Sequence, residues 1–284
     1  MSPLQVGGKV AVSPGGSKAS DRILGDHPVP PHPFAEVFVA KDGQTKSNVP
    51  HRALAEKAGK RAVMMATIKK MLVRHHASPE ALERSRTRCE AMKRLGFEAE
   101  QARLGRFPTN DLTRKGNLAE VLLAEYVVAA NGVTLPIYRL RYNPNVEQSM
   151  KGDDVLAFDL EASPVKVIVG EAKFRGTSSI TAVGEIVGGL VRSYKSGLPM
   201  SLQFVADRLF ESGQVNVGEQ VLKCAELFAS GSLRLDYVGL LMSDTKSADH
   251  VDQATPSTVP RLAMVSLGIP DPDSLIEGCY SGLG

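Results

Sequence analysis

Asp154, Glu171 and Lys173 are the residues whose types and spacing best suit chemistry. Glu171 and Lys173 follow the apolar run Val165 to Val169 in the stretch VKVIVGEAKFRG. In an extended strand, residues two apart point to the same face, so an acid and a base project together while Ala172 points away. Holding such a pair at the end of a buried strand is costly unless chemistry uses it. A second expected strand, Asp154 to Leu160, joins the first through the turn Glu161-Ala162-Ser163-Pro164. That hairpin brings Asp154 close to Glu171. Asp153 competes for the role, because adjacent strand residues face opposite sides. Asp154 is preferred because it alternates with Leu156, Phe158 and Leu160.

This layout suits magnesium-dependent phosphodiester hydrolysis, with Mn²⁺ as a substitute ion. Magnesium takes hard oxygen ligands and keeps several waters. Asp154 and Glu171 could hold one ion or bridge two, and the backbone carbonyl of Ala172 adds a neutral oxygen. The ion polarises a phosphoryl oxygen and makes water a better nucleophile. Lys173, a compact point charge, would orient that water or neutralise charge building on the phosphate.

The strings Gly152-Asp153-Asp154-Val155-Leu156-Ala157-Phe158 and Gly170-Glu171-Ala172-Lys173 resemble the PD-(D/E)xK nuclease superfamily, over roughly Thr113 to Met242. No proline precedes Asp154, and the expected helix Ser178 to Lys195 lacks the Gln-x-x-x-Tyr element of the helicase-linked exonuclease branch. The resemblance implies a restriction-endonuclease-like α/β fold, a mixed sheet flanked by helices. It also implies Glu120, in Asn117-Leu118-Ala119-Glu120-Val121-Leu122-Leu123, as a third catalytic acid and metal ligand. Asn117-x-x-Glu120 equally reads as a capping box, with Asn117 as N-cap. More narrowly, KGNLAEVLLAEYV, GDDVLAF and VGEAKFRG are similar to the nuclease subunit of the Hachiman antiphage system. That similarity implies DNA as substrate, a helicase partner and a variable N-terminal region ahead of the nuclease domain.

Composition agrees with a globular enzyme. Of the 284 residues, 43% are hydrophobic, and no apolar run approaches a membrane span. MSPLQVGGKVAVSPGG has no signal-peptide core. Cys89, Cys224 and Cys279 show no paired metal spacing and suggest a reducing, cytoplasmic setting. His27 and His32 read as loop residues, and His75-His76 are adjacent on a helix, so no zinc site is expected.

Charge is uneven. The net +3 divides into +8 over residues 51–110, with 14 Lys+Arg and 6 Asp+Glu, and −5 elsewhere. This basic segment reads as helical from Ala53 to His76, and again from Ser78-Pro79, an N-cap and first-turn proline, to about Leu95 and Gly96. Lys69, Lys70 and Arg74 are its candidates for contacting nucleic acid or an acidic partner face. The plain alternative is a solvated helix face.

Residues 1–50, dense in Gly, Pro and Ser, are expected to form a partly flexible arm containing a short strand, Ala35 to Ala40. The nuclease domain is expected at 111–284. It should hold a helix from Asn117 to Ala130 ending at Asn131-Gly132, a strand from Leu135 to Tyr142, and the two motif strands. A helix over Ser178 to Lys195, a helix over Val215 to Ser230, a strand over Tyr237 to Met242, a polar loop to Pro260 and a strand to Ile269 complete it. Two rival functions stand beside the defence nuclease: a stand-alone restriction-type endonuclease, and a non-catalytic partner module with a vestigial site.

Overall fold

The computed structural model describes residues 22–97 and 105–283. Strands β1 (Phe38–Gln44), β2 (Pro50–Glu56), β3 (Val155–Asp159), β4 (Val165–Phe174), β5 (Leu233–Ser243) and β6 (Leu262–Gly268) form one sheet in the order β1-β2-β6-β5-β4-β3. The four central strands are parallel, and β1 and β3 run antiparallel at the edges. The architecture is the expected mixed α/β sheet flanked by helices.

Strands buried on both faces read as continuous apolar runs. In β4, Ile168, Ala172 and Phe174 enter one apolar core while Val167 and Val169 enter the other. The first core is closed by α1 (Pro33–Val37), α2 (Arg61–His76), α4 (Asp111–Asn131) and α9 (Pro272–Tyr280). The second is closed by α5 (Ile180–Ser196), α6 (Leu202–Glu211), α7 (Val215–Ala229) and α8 (Ser247–Ala254). Helix α3 (Pro79–Arg94) is mostly exposed, and its N-cap is Ser78, whose side chain accepts from Ala81 N.

The first hundred residues differ from expectation. Residues 1–21 of the anticipated arm lie outside the described residues, but 22–50 pack against the body. Phe34 and Phe38 are 1% and 2% exposed, and burying each stabilises by roughly 1.5–3 kcal/mol, more than a loose arm could forgo. The expected strand Ala35 to Ala40 is replaced by α1 followed by β1. Residues 51–56, expected within the basic helical region, belong to β2, which pairs in parallel with β6. The 110/111 boundary therefore cuts through one sheet. The strand signal in Pro50–Glu56 is hidden because two of its inward groups are polar. His51 bonds Ser266 Oγ at 2.9 Å, and Arg52 is held by Asp42 and the carbonyls of Leu24 and Gly25.

Three further differences bear on the site. Leu135 to Tyr142 is not a strand: a lone bridge joins Thr134 to Phe158, and a 3-10 turn covers Arg139–Tyr142. Pro136 has no N–H to give a ladder there. Helix α4 begins a turn and a half before Asn117, capped by Asn110, whose side chain accepts from Thr113 N. The segment after Ser243, expected as loop, contains α8. No helix among the described residues is long and apolar enough to cross a membrane.

Candidate active site

The β3–β4 ladder pairs Val155 with Gly170, and one residue further this register sets Asp154 opposite Glu171. Asp154 Oδ2 accepts from the Ala172 amide at 2.9 Å. A strand residue directs its N–H and C=O to the same edge, so the Ala172 carbonyl also faces the Asp154 side. Lys173 Nζ donates to Glu171 Oε1 at 2.6 Å. The hairpin thus brings Asp154, Glu171, Lys173 and the Ala172 carbonyl to one strand end.

Asp153 is directed elsewhere. It is 4% exposed, accepts from Ser193 Oγ and Ser201 N at 2.9 Å each, and donates its amide to Ser201 Oγ. These bonds tie β3 to α5 and the start of α6, and leave Asp154 as the acid facing Glu171.

Glu120 approaches from α4 across the other face of the sheet. It sits in the third turn of that helix, so the capping-box reading fails. Asn117, its supposed cap, is buried and shares a 3.1 Å hydrogen bond with His76 Nε2. Arg139 stands between the acids: its Nε is 3.5 Å from Glu120 Oε1, and its Nη1 is 3.6 Å from Asp154 Oδ1. Arg139 also donates to the Asp153 carbonyl, which fixes the guanidinium in place. Arg139 lies within the strand expected from Leu135 to Tyr142, and the sequence pattern gave it no role at the site.

The electrostatics are those of an acidic cluster short of positive charge. Burial pushes Glu120 up to about 8; Arg139 opposes the rise, and the charges of Asp154 and Glu171 reinforce it. Burial also raises Asp154, against its bond from the Ala172 amide and the charges of Lys173 and Arg139. Glu171 is raised by burial and then by Asp154. For Lys173, burial favours the neutral form, but the Glu171 hydrogen bond and the Glu171 and Asp154 charges outweigh it and hold the ammonium above its usual range. Carboxylates that raise one another are relieved by a cation.

The cluster opens into a cleft of about 800 Å³ that Lys151, Arg175 and Arg192 also line. Among the described residues, no three acidic, histidine or cysteine side chains already form a metal cage. The oxygen set is Asp154, Glu171 and the Ala172 carbonyl, with Glu120 beyond Arg139. Hard oxygens in small number suit an ion that retains waters, so the residues fit Mg²⁺ or Mn²⁺ better than a soft metal. Helix α5 crosses Glu171 at Gly189, where an added Cβ would stand 2.6 Å from Glu171 Cδ.

The basic trio on α2 does not join this site. Lys69 donates to the Ser281 carbonyl, and Arg74 pairs with Glu125, which also bonds His75 Nε2 at 2.6 Å. Lys70 is exposed. Two of the three cations are thus engaged within the fold.

The HamA family model matches residues 33–283. A curated relative, the Hachiman protein HamA of Bacillus cereus, is 34% identical over 260 residues, covering 92% of this chain and 93% of the relative.

Proposed function

The chain belongs to the HamA family, and on that premise we propose that it is a metal-dependent deoxyribonuclease of the PD-(D/E)xK type, acting in Hachiman antiphage defence beside a helicase subunit. The observation that carries the reading is the convergence of Asp154, Glu171 and Lys173 on one strand end, opposite Glu120.

When bound, a divalent cation supplies Lewis-acid polarisation of the phosphoryl oxygen and a more acidic water. Asp154, Glu171 and the Ala172 carbonyl are the groups that would hold it, with Glu120 the third carboxylate on offer. Lys173 keeps its ammonium proton under the influence of two acids, so it presents fixed positive charge to a phosphate whose negative charge grows in the transition state. Arg139 keeps Glu120 and Asp154 apart and oriented. Arg192 and Lys151, at the cleft wall, attract the phosphodiester backbone.

The test is cleavage of duplex DNA by the chain alone and by its co-purified complex. Shortening is expected in Mg²⁺ or Mn²⁺ and not in EDTA, with Glu171→Gln and Lys173→Ala inactive at unchanged circular dichroism. Wild-type-like cutting by either variant contradicts the reading. Cuts at fixed sequence positions by the isolated chain would favour a restriction-type endonuclease instead.

A further inference from the structure

A second concavity, of about 470 Å³, is lined by Arg84, Arg88, Arg106, Thr109, Asn143 and Asn145. Helix α3 sets Arg84 and Arg88 four residues apart, hence on one face, and Arg106 faces them from the segment leading into α4. Among the described residues none of the three guanidinium groups forms an ion pair. Glu147 also lines the concavity, but its carboxylate is taken. It accepts from the amides of Thr109 and Asn110 at 2.8 Å each and from Thr109 Oγ1 at 3.0 Å, pinning the start of α4. The pocket therefore presents three positive forks against one carboxylate, whose oxygens are turned onto Thr109 and Asn110.

Its position gives it meaning. Residues 143–147 form one wall of this pocket, and the continuation of the same loop, 149–154, forms a wall of the cleft that ends at Asp154. Guanidinium forks match phosphate oxygens in pairs. The side-chain amides of Asn143 and Asn145 add N–H donors suited to the same oxygens. A concave, polar site joined by one loop to a hydrolytic cleft fits a chain of phosphates better than a flat acidic protein surface.

We propose that the Arg84–Arg88–Arg106 pocket binds backbone phosphates of the nucleic acid whose scissile bond lies in the Asp154–Glu171 cleft. The proposal rests on the nuclease reading for its substrate, but its test does not require cleavage.

The experiment is binding of a fluorescent duplex DNA to the full chain in EDTA, across a salt series, for wild type and Arg84→Gln/Arg88→Gln/Arg106→Gln. The arginines are exposed or half-exposed, so folding is expected to survive, checked by circular dichroism. The triple variant should bind at least tenfold more weakly at moderate salt. Its log–log salt slope should shrink by about 0.9 for each phosphate it no longer neutralises. Arg86→Gln, on the opposite face of α3, should leave the slope unchanged. An unchanged slope in the triple variant overturns the proposal. So does loss of partner capture with intact DNA binding, which would assign the pocket to an acidic protein face. If the wild type binds as expected yet never cuts, the nuclease reading fails and the pocket stands. If it cuts while the triple variant binds normally, the reverse holds.

Discussion

Gly189 of α5 lies so close to Glu171 that a Cβ there would meet the carboxyl carbon at 2.6 Å. The obstacle is the far end of a flexible side chain, so an alanine fits by pushing the carboxylate aside. Gly→Ala inside a helix otherwise stabilises by roughly 0.5–1 kcal/mol. Gly189→Ala is therefore expected to melt at or above the wild-type temperature while cleavage falls at least tenfold. Gly184→Ala, on the same helix with nothing within 4 Å of its added Cβ, should gain stability and keep its activity. Equal activity in the two variants would mean that Glu171 need not stand where Gly189 allows it.

Glu120→Gln separates chemistry from packing. Burial and the neighbouring acids hold the Glu120 carboxyl at about 8, above its unfolded value. Its contribution to stability is thus complete below the unfolded pKa and is lost as pH rises toward 8. The glutamine variant should be the more stable form at pH 8 and should show a flatter decline between pH 5 and 8 in chelator-containing buffer. Cleavage should nonetheless drop. Wild-type cutting by Glu120→Gln would remove Glu120 from the site.

His76 gives the opposite pH sign. Its Nδ1 lies 2.9 Å from the Leu72 carbonyl, to which it must donate, and its Nε2 faces the Asn117 amide. Burial holds this ring's pKa at about 4. Stability from the neutral ring is present above pH 6.5 and lost as pH falls toward 4, with a slope of up to about 1.4 kcal/mol per pH unit for one proton. Urea unfolding of His76→Phe over pH 4–7 should show a shallower slope than wild type, whatever its absolute stability. An identical slope would assign the acid sensitivity to other groups.

The hairpin could be read from sequence because both of its strands are apolar on two faces and the acid–base pair breaks that pattern at one end. The ends of α3 and α4 were equally readable from Ser78-Pro79 and from Gly132, whose φ of 66° makes it the left-handed C-cap. Arg139 was not readable, because its place depends on Pro136 ending a strand after one bridge and on carbonyls distant in sequence. Nor was the start of α4, since Gly116 and Asn117 resemble a helix boundary until His76 claims the Asn117 side chain. Lys69 and Arg74 looked like a free basic face because their partners, Ser281 and Glu125, lie far along the chain.

The adjacent acids Asp153 and Asp154 supply the most direct test. Cleavage of duplex DNA in Mg²⁺ should be measured for Asp153→Asn and Asp154→Asn beside wild type, with chemical denaturation as the fold control. Asp154 faces Glu171 while Asp153 holds Ser193 and Ser201. Asp154→Asn should therefore be folded and inactive, and Asp153→Asn less stable but still able to cut. Wild-type-like cleavage by Asp154→Asn, with Asp153→Asn folded and dead, would contradict the assignment of Asp154 to the metal site.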